Sequence, residues 1–174
     1  SNIIYEILNE LIDFDKKNDN LIDLKKIQSN EFSLFNLINN DMNFSKYINF
    51  LIGNGIDLNE PDSNGVYSLE YAIKSENVNY VKALIDTQKI DFDKRTIMKE
   101  IKANEAKFSN NKKFFPTVNN ETYLHLAAKC QNKDILEIFL NMNLIDINAT
   151  DDLGETPLIK SCRFKLKDNI LLLF

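Results

Sequence analysis

Asp151-Asp152-Leu153-Gly154-Glu155-Thr156-Pro157-Leu158-Ile159-Lys160-Ser161 is the stretch whose reading decides the fold. A turn-forming segment ending in glycine is followed at once by Thr156-Pro157, where threonine suits a helix N-cap and proline the first helical turn. Two other segments carry the same outline: Asp62-Ser63-Asn64-Gly65 leading to Leu69 and Ala72, and Thr117-Val118-Asn119-Asn120 leading to Leu124 and Ala127. Leu69, Leu124 and Leu158 lie 55 and then 34 residues apart. A second element, seen at Asp57-Leu58-Asn59, Asp91-Phe92-Asp93 and Asp146-Ile147-Asn148, recurs at 34 and then 55. Both series close on a period of 34 with one insertion of 21 residues after Asp93. A fixed period of this length is the mark of stacked repeats.

Each copy pairs a helix rich in small residues with a bulkier one. Tyr47, Ile48, Leu51 and Ile52 match Tyr80, Val81, Leu84 and Ile85, and again Ile135, Leu136, Phe139 and Leu140. Offsets of one, four and five put each set on one helical face. Ala72, Ala127, Ala128 and Ser161 mark the shorter helices, where neighbours can approach closely. One helix pair cannot bury its stripe alone, whereas a stack can. Ile3, Ile4, Ile7, Leu8, Leu11 and Ile12 also have helical spacing, continued by Leu21, Leu24 and Ile27, which predicts a degenerate repeat or capping helix pair.

These segments resemble the ankyrin family. The match is best in Asp151, Gly154 and Thr156-Pro157-Leu158, and in Thr122-Tyr123-Leu124-His125-Leu126-Ala127-Ala128. The repeat endings Gly53-Asn54-Gly55-Ile56-Asp57-Leu58-Asn59 and Ile145-Asp146-Ile147-Asn148 fit the same family. Proline is lost in two of three copies, and Asn120 stands at a glycine position, which asparagine tolerates because it also visits positive φ. The resemblance implies an all-α helical solenoid of about four repeats with short hairpin loops, an extra helical N-terminal segment and one 21-residue insertion. The divisions are a cap or degenerate repeat over 1–29, repeats over 30–59 and 60–93, a basic insertion over 94–116, and repeats over 117–149 and 150–174, the last cut short. Ile170-Leu171-Leu172-Leu173-Phe174 is too apolar for a solvent-facing end, so either more repeats follow or a partner covers it.

Chemistry of the catalytic kind finds no support. The only histidine, His125, occupies the family's structural position beside Thr122. Cys162 is expected to pack as a small hydrophobe in an inner helix, and Cys130 to lie more exposed near a turn. The two cysteines lack metal-ligand spacing and read as free thiols of a reducing, intracellular, cytoplasmic setting. There is no glycine-rich phosphate loop and no carboxylate pair set apart in apolar surroundings. The sequence therefore predicts no enzyme, metal or cofactor, and no apolar run reaches the ~18–20 residues that span a bilayer.

Recognition of a protein partner is the expected function. Lys74, Lys129 and Arg163 recur at 55 and 34 residues, so stacking predicts a basic column at a position the family turns toward its concave groove. Glu121 and Glu155 also repeat nearby, with Val66 at the third site, and either pair with that column or leave it free. Residues 94–116 hold seven Lys/Arg and two Glu, with Lys94, Arg95, Lys99 and Lys102 on or beside a short amphipathic helix predicted from Ile97, Met98, Ile101 and Phe108. In the family the hairpin tips share this surface, which adds Ser63, Asn64, Asp152 and Leu153. An unpaired column predicts an acidic protein segment as partner, bound more weakly as salt rises. Nucleic-acid binding through the same cations is the second reading, opposed by the net charge of −5 and the lack of a recognised nucleic-acid module. A targeting module cut from a larger enzyme, scaffold or host-directed effector is the third, and oligomeric state is left open.

Overall fold

The computed structural model describes residues 44–62, 65–96 and 120–174, together with the helical residues 6, 9, 10, 13 and 17. Among these every regular element is a helix. Most of the N-terminal cap over 1–29 and most of the basic insertion lie outside the described residues. The chain divides into two compact units, Ser1–Asp91 and Phe92–Phe174.

The first unit contains α1 (Phe44–Gly53), α2 (Ser68–Lys74) and α3 (Val78–Asp86), with α3 packed against both of the others. Tyr47, Ile48 and Leu51 of α1 and Tyr80, Val81 and Leu84 of α3 are buried, while Ile52 and Ile85, last of each sequence stripe, are half-exposed. Phe44 stacks on Tyr80 with ring centroids 5.4 Å apart. The shorter α2 seals Leu69, Ala72 and Ile73 completely. Its entry is a tight turn: the Asp62 N–H donates to Val66 O (3.0 Å), the Gly65 N–H to Asp62 O (2.9 Å) and the Val66 N–H to Asp62 Oδ1 (3.0 Å). Gly65 has φ +80°, a conformation in which a Cβ would be strained. The Ser68 hydroxyl donates to Leu58 O at 2.8 Å, tying the turn to the helix it introduces.

The second unit contains α4 (Tyr123–Ala128), α5 (Lys133–Met142), α6 (Pro157–Arg163) and α7 (Lys167–Leu173). The short helices α4 and α6 pack on each other, α5 packs on α7, and α4/α5 and α6/α7 form the two hairpins. Ala127, Ala128 and Ser161 are completely buried, so small side chains let the inner helices approach. Ile135, Leu136 and Phe139 of α5 are buried, and Leu140 is half-exposed in the same register as Ile52 and Ile85. Asn77 and Asn132 cap α3 and α5, accepting from the N–H groups of Tyr80 and Asp134. Asn143 ends α5 at φ +51°, using the left-handed conformation asparagine tolerates. Asn169 takes the register of Ile135 and Tyr80, and its buried Nδ2 donates to Ala128 O (3.2 Å) and Cys130 O (2.8 Å). It thereby satisfies carbonyls left over at the end of α4.

The cysteines reverse the sequence expectation. Cys130 is buried and Cys162 exposed. Cys162 does occupy an inner-helix small-residue position, but its counterpart Ala128 is buried because α6 and α7 pack over it, and Cys162 lies in the last helix pair. Cys130 lies under that same pair, with Asn169 bonded to its carbonyl. The difference is one of stacking. Position within a repeat selects the residue type; the neighbouring repeat determines its exposure. Ile159, Phe164, Leu171 and Phe174 are likewise exposed.

Candidate partner-binding face

Thr156 accepts from the Ile159 N–H and Pro157 starts α6, so this helix begins in the turn that decides the fold. In that turn the Asp151 N–H donates to Glu155 O (3.1 Å), while Asp151 Oδ1 accepts from the N–H groups of Leu153 (2.8 Å) and Glu155 (3.0 Å). Gly154, at φ +71°, closes it with an N–H bond to Asp151 O (3.0 Å). The preceding inner helix carries a reciprocal cap. Thr122 Oγ1 accepts from the His125 N–H, and His125 Nδ1 accepts from the Thr122 N–H at 3.2 Å. With Nδ1 an acceptor, the proton resides on Nε2, which donates to Glu155 O at 2.8 Å. His125 thus caps its own helix and holds the next turn.

Behind these turns lies a buried ionic cluster that sequence reasoning missed. The Lys160 side chain is 3% exposed, and its Nζ meets Asp151 Oδ2 at 2.6 Å, Glu155 Oε2 at 2.9 Å and Glu121 Oε1 at 3.3 Å. Glu121 also holds Lys129 at 2.7 Å, and Glu155 holds Arg163. The result is a ladder of alternating sign, Lys129–Glu121–Lys160–Glu155–Arg163, with Asp151 at its root. Three cations balance three anions. Burial works to raise the Asp151 carboxyl, but hydrogen bonds from Lys160 and from the Glu155 and Leu153 N–H groups outweigh it and hold its pKa below the usual value. Burial works to lower the Lys160 ammonium, and the hydrogen bonds to Asp151 and Glu155 with the Glu121 charge turn it upward. Burial dominates at His125 and lowers its pKa, against opposing contributions from the Glu155 carbonyl, Asp151 and Glu121.

The residues singled out in the sequence fall into distinct settings. Lys129 and Arg163 end the two inner helices of the second unit with side chains 26% and 52% exposed, each fastened on one side by a nearly buried glutamate. Lys74 ends α2 of the first unit, 56% exposed, and pairs at 2.5 Å with Glu70 one turn earlier, which supplies the acid that Val66 does not. Asp152 and Leu153 sit exposed at the tip of the Asp151–Glu155 turn. Arg95 points its Nη1 at two backbone carbonyls, Asn120 O (3.0 Å) and Thr150 O (3.2 Å). Lys94 is half-buried. Ser63, Asn64, Lys99 and Lys102 lie outside the described residues. Among the described residues no group of His, Cys, Asp or Glu could hold a metal ion. The three carboxylates that converge in the second unit surround an ammonium. No described helix is long and apolar enough to cross a membrane.

One signal could have exposed the cluster. Lys160 stands where the preceding repeat has buried Leu126 and the first unit has Tyr71, whose hydroxyl donates to Asp62 Oδ2 at 2.6 Å. Asp62 and Asp151 share a register, so a lysine in the tyrosine's place was set to meet the same carboxylate.

The family comparison agrees with this geometry. A family model described as ankyrin repeats (three copies) matches residues 93–174. A search of the curated proteins gave no match. Repeats of this kind generally mediate protein–protein interaction and are typically non-catalytic. The capped inner helices, the tight aspartate-led turn and the stacked hairpins agree with the sequence match: residues 93–174 carry ankyrin repeats.

Proposed function

We propose that the chain is a non-catalytic recognition module that holds a protein partner on the face formed by its turn tips and the ends of its inner helices. The observation that carries this reading is the presentation of Lys129 and Arg163. Each is partly exposed, yet each is held in place by a glutamate that is itself locked against buried Lys160. A cation so fastened has lost its rotamer freedom in advance, which lowers the entropic cost of binding. Glu155 engages one side of the Arg163 guanidinium, and further N–H donors remain for carboxylate or carbonyl groups of a partner. Asp152 and Leu153 at the adjoining tip extend the surface.

The partner best matched is a segment with a carboxylate placed to share Arg163 and Lys129. Because the ladder balances in charge, recognition rests on geometry more than on bulk attraction, so salt should weaken it only moderately. Lys74 in the first unit and Lys94, Lys99 and Lys102 in the basic segment belong to the same reading, as does a place in a longer intracellular scaffold or host-directed effector of about four repeats. The test is affinity capture from a cell lysate, followed by titration of the captured partner. Lys129→Gln with Arg163→Gln should weaken binding by about tenfold or more, and a thermal melt of the same variant separates lost contact from lost fold, because two of the ladder's three cations go with it. Full affinity in the double variant would move the site elsewhere.

A further inference from the structure

Thr96, Asn120 and Glu121 repeat, bond for bond, the turns that introduce the other two inner helices. The Thr96 N–H donates to Glu121 O (2.9 Å), as Asp62 does to Val66 and Asp151 to Glu155. The Asn120 N–H donates to Thr96 O (3.0 Å), as Gly65 and Gly154 do to their aspartates. The Glu121 N–H donates to Thr96 Oγ1 (3.0 Å), which takes the place of the aspartate Oδ1. Asn120 has φ +65°, beside +80° at Gly65 and +71° at Gly154. Two residues separate the ends of the standard turn, 63–64 in one case and 152–153 in the other; between Thr96 and Asn120 there are 23.

From this correspondence we infer that residues 97–119 are spliced into the tip of a turn whose frame is complete without them, and that Arg95 is a positioning residue for the splice. Lys94, Arg95 and Thr96 then belong to the repeat, in the register of Ala149, Thr150 and Asp151. Arg95 bonds Asn120 O on its own turn and Thr150 O on the next, so it aligns two successive turns within the second unit. This inference is independent of which partner the protein binds. It separates the turn frame, held by Thr96, Asn120 and Glu121, from the residues inserted between its ends.

The test exchanges residues 97–119 in the whole chain for Ser-Asn, the dipeptide at 63–64. Closing a turn with two residues instead of 23 favours the folded state by about 40-fold through loop entropy alone. If the segment contributes nothing to the stack, the exchanged chain should melt no lower than the parent, with the Glu121 amide equally protected from hydrogen exchange. A lower melting temperature, or loss of that protection, would overturn the inference. An independent pair of variants probes the clasp in the parent chain. Thr96→Ala should speed exchange of the Glu121 amide by about fivefold or more, as expected for one lost hydrogen bond, and Thr96→Asp should restore it. Unchanged exchange in Thr96→Ala would likewise refute the correspondence.

Discussion

Replacing Lys160 with methionine should destabilise the second unit at its buried ionic cluster. Methionine keeps the volume and removes the ammonium, leaving Asp151, Glu155 and Glu121 facing one another with side chains 0%, 9% and 6% exposed. Removing one partner of a buried ionic group typically costs about 3–5 kcal/mol, and here Asp151 is left without its cation while Glu121 and Glu155 keep only Lys129 and Arg163. For a unit of this size that corresponds to a fall in melting temperature of at least about 12 °C. Changing pH gives the decisive signature. In the parent, the Asp151 pKa is depressed, so its contribution is present above the unfolded value near 3.8 and is lost as pH falls through the lower folded value. The raised ammonium of Lys160 contributes below its ordinary 10.5 and is lost as pH climbs through the higher folded value. Without Lys160 burial at Asp151 is opposed only by the Glu155 and Leu153 N–H bonds, so its carboxyl pKa should rise from the depressed value. The Lys160→Met chain should therefore lose less stability than the parent through this carboxyl as the pH falls into the acid range. Urea denaturation at a series of pH values measures both slopes. A loss below about 1 kcal/mol with parallel pH profiles would refute the claim that these three carboxylates depend on one buried cation.

Three further outcomes follow from the same packing. Because burial depresses His125, its neutral form contributes fully above the unfolded value near 6.5, and that contribution is lost as pH falls below it; His125→Gln should flatten this part of the profile in thermal melts. Asn169→Leu should fit the register of Ile135 yet cost about 1–3 kcal/mol, because the Cys130 carbonyl loses its buried donor; chemical denaturation measures it. Gly154→Ala should cost about 1 kcal/mol although nothing lies within 4 Å of the added Cβ, since φ +71° strains any L side chain.

Legibility divided along a physical line. The first three residues of each outer-helix stripe read from the sequence are buried in the structure and the last is half-exposed, because hydrophobic burial follows the helical period. The inner helices were legible through Ala72, Ala127, Ala128 and Ser161, since close approach restricts side-chain size. The cysteines were misread because exposure depends on what stacks above, which a single repeat does not encode. Lys160 escaped notice because lysine is common throughout the chain and in most settings keeps its ammonium in water. Only three-dimensional convergence of Asp151, Glu155 and Glu121 makes this one a buried hub. The same convergence answers the question the sequence left open about the basic column: in the second unit Lys129 and Arg163 are paired with Glu121 and Glu155.

The most direct test of the recognition face is hydrogen exchange of the whole chain with and without a captured partner. Partner binding at the proposed face should slow exchange at the 151–155 turn and through the ends of α4 and α6, leaving α5 and α7 unchanged. Protection confined to α5 and α7, with the turn and inner helices unaffected, would contradict the account and place the binding surface on the opposite helices of the stack.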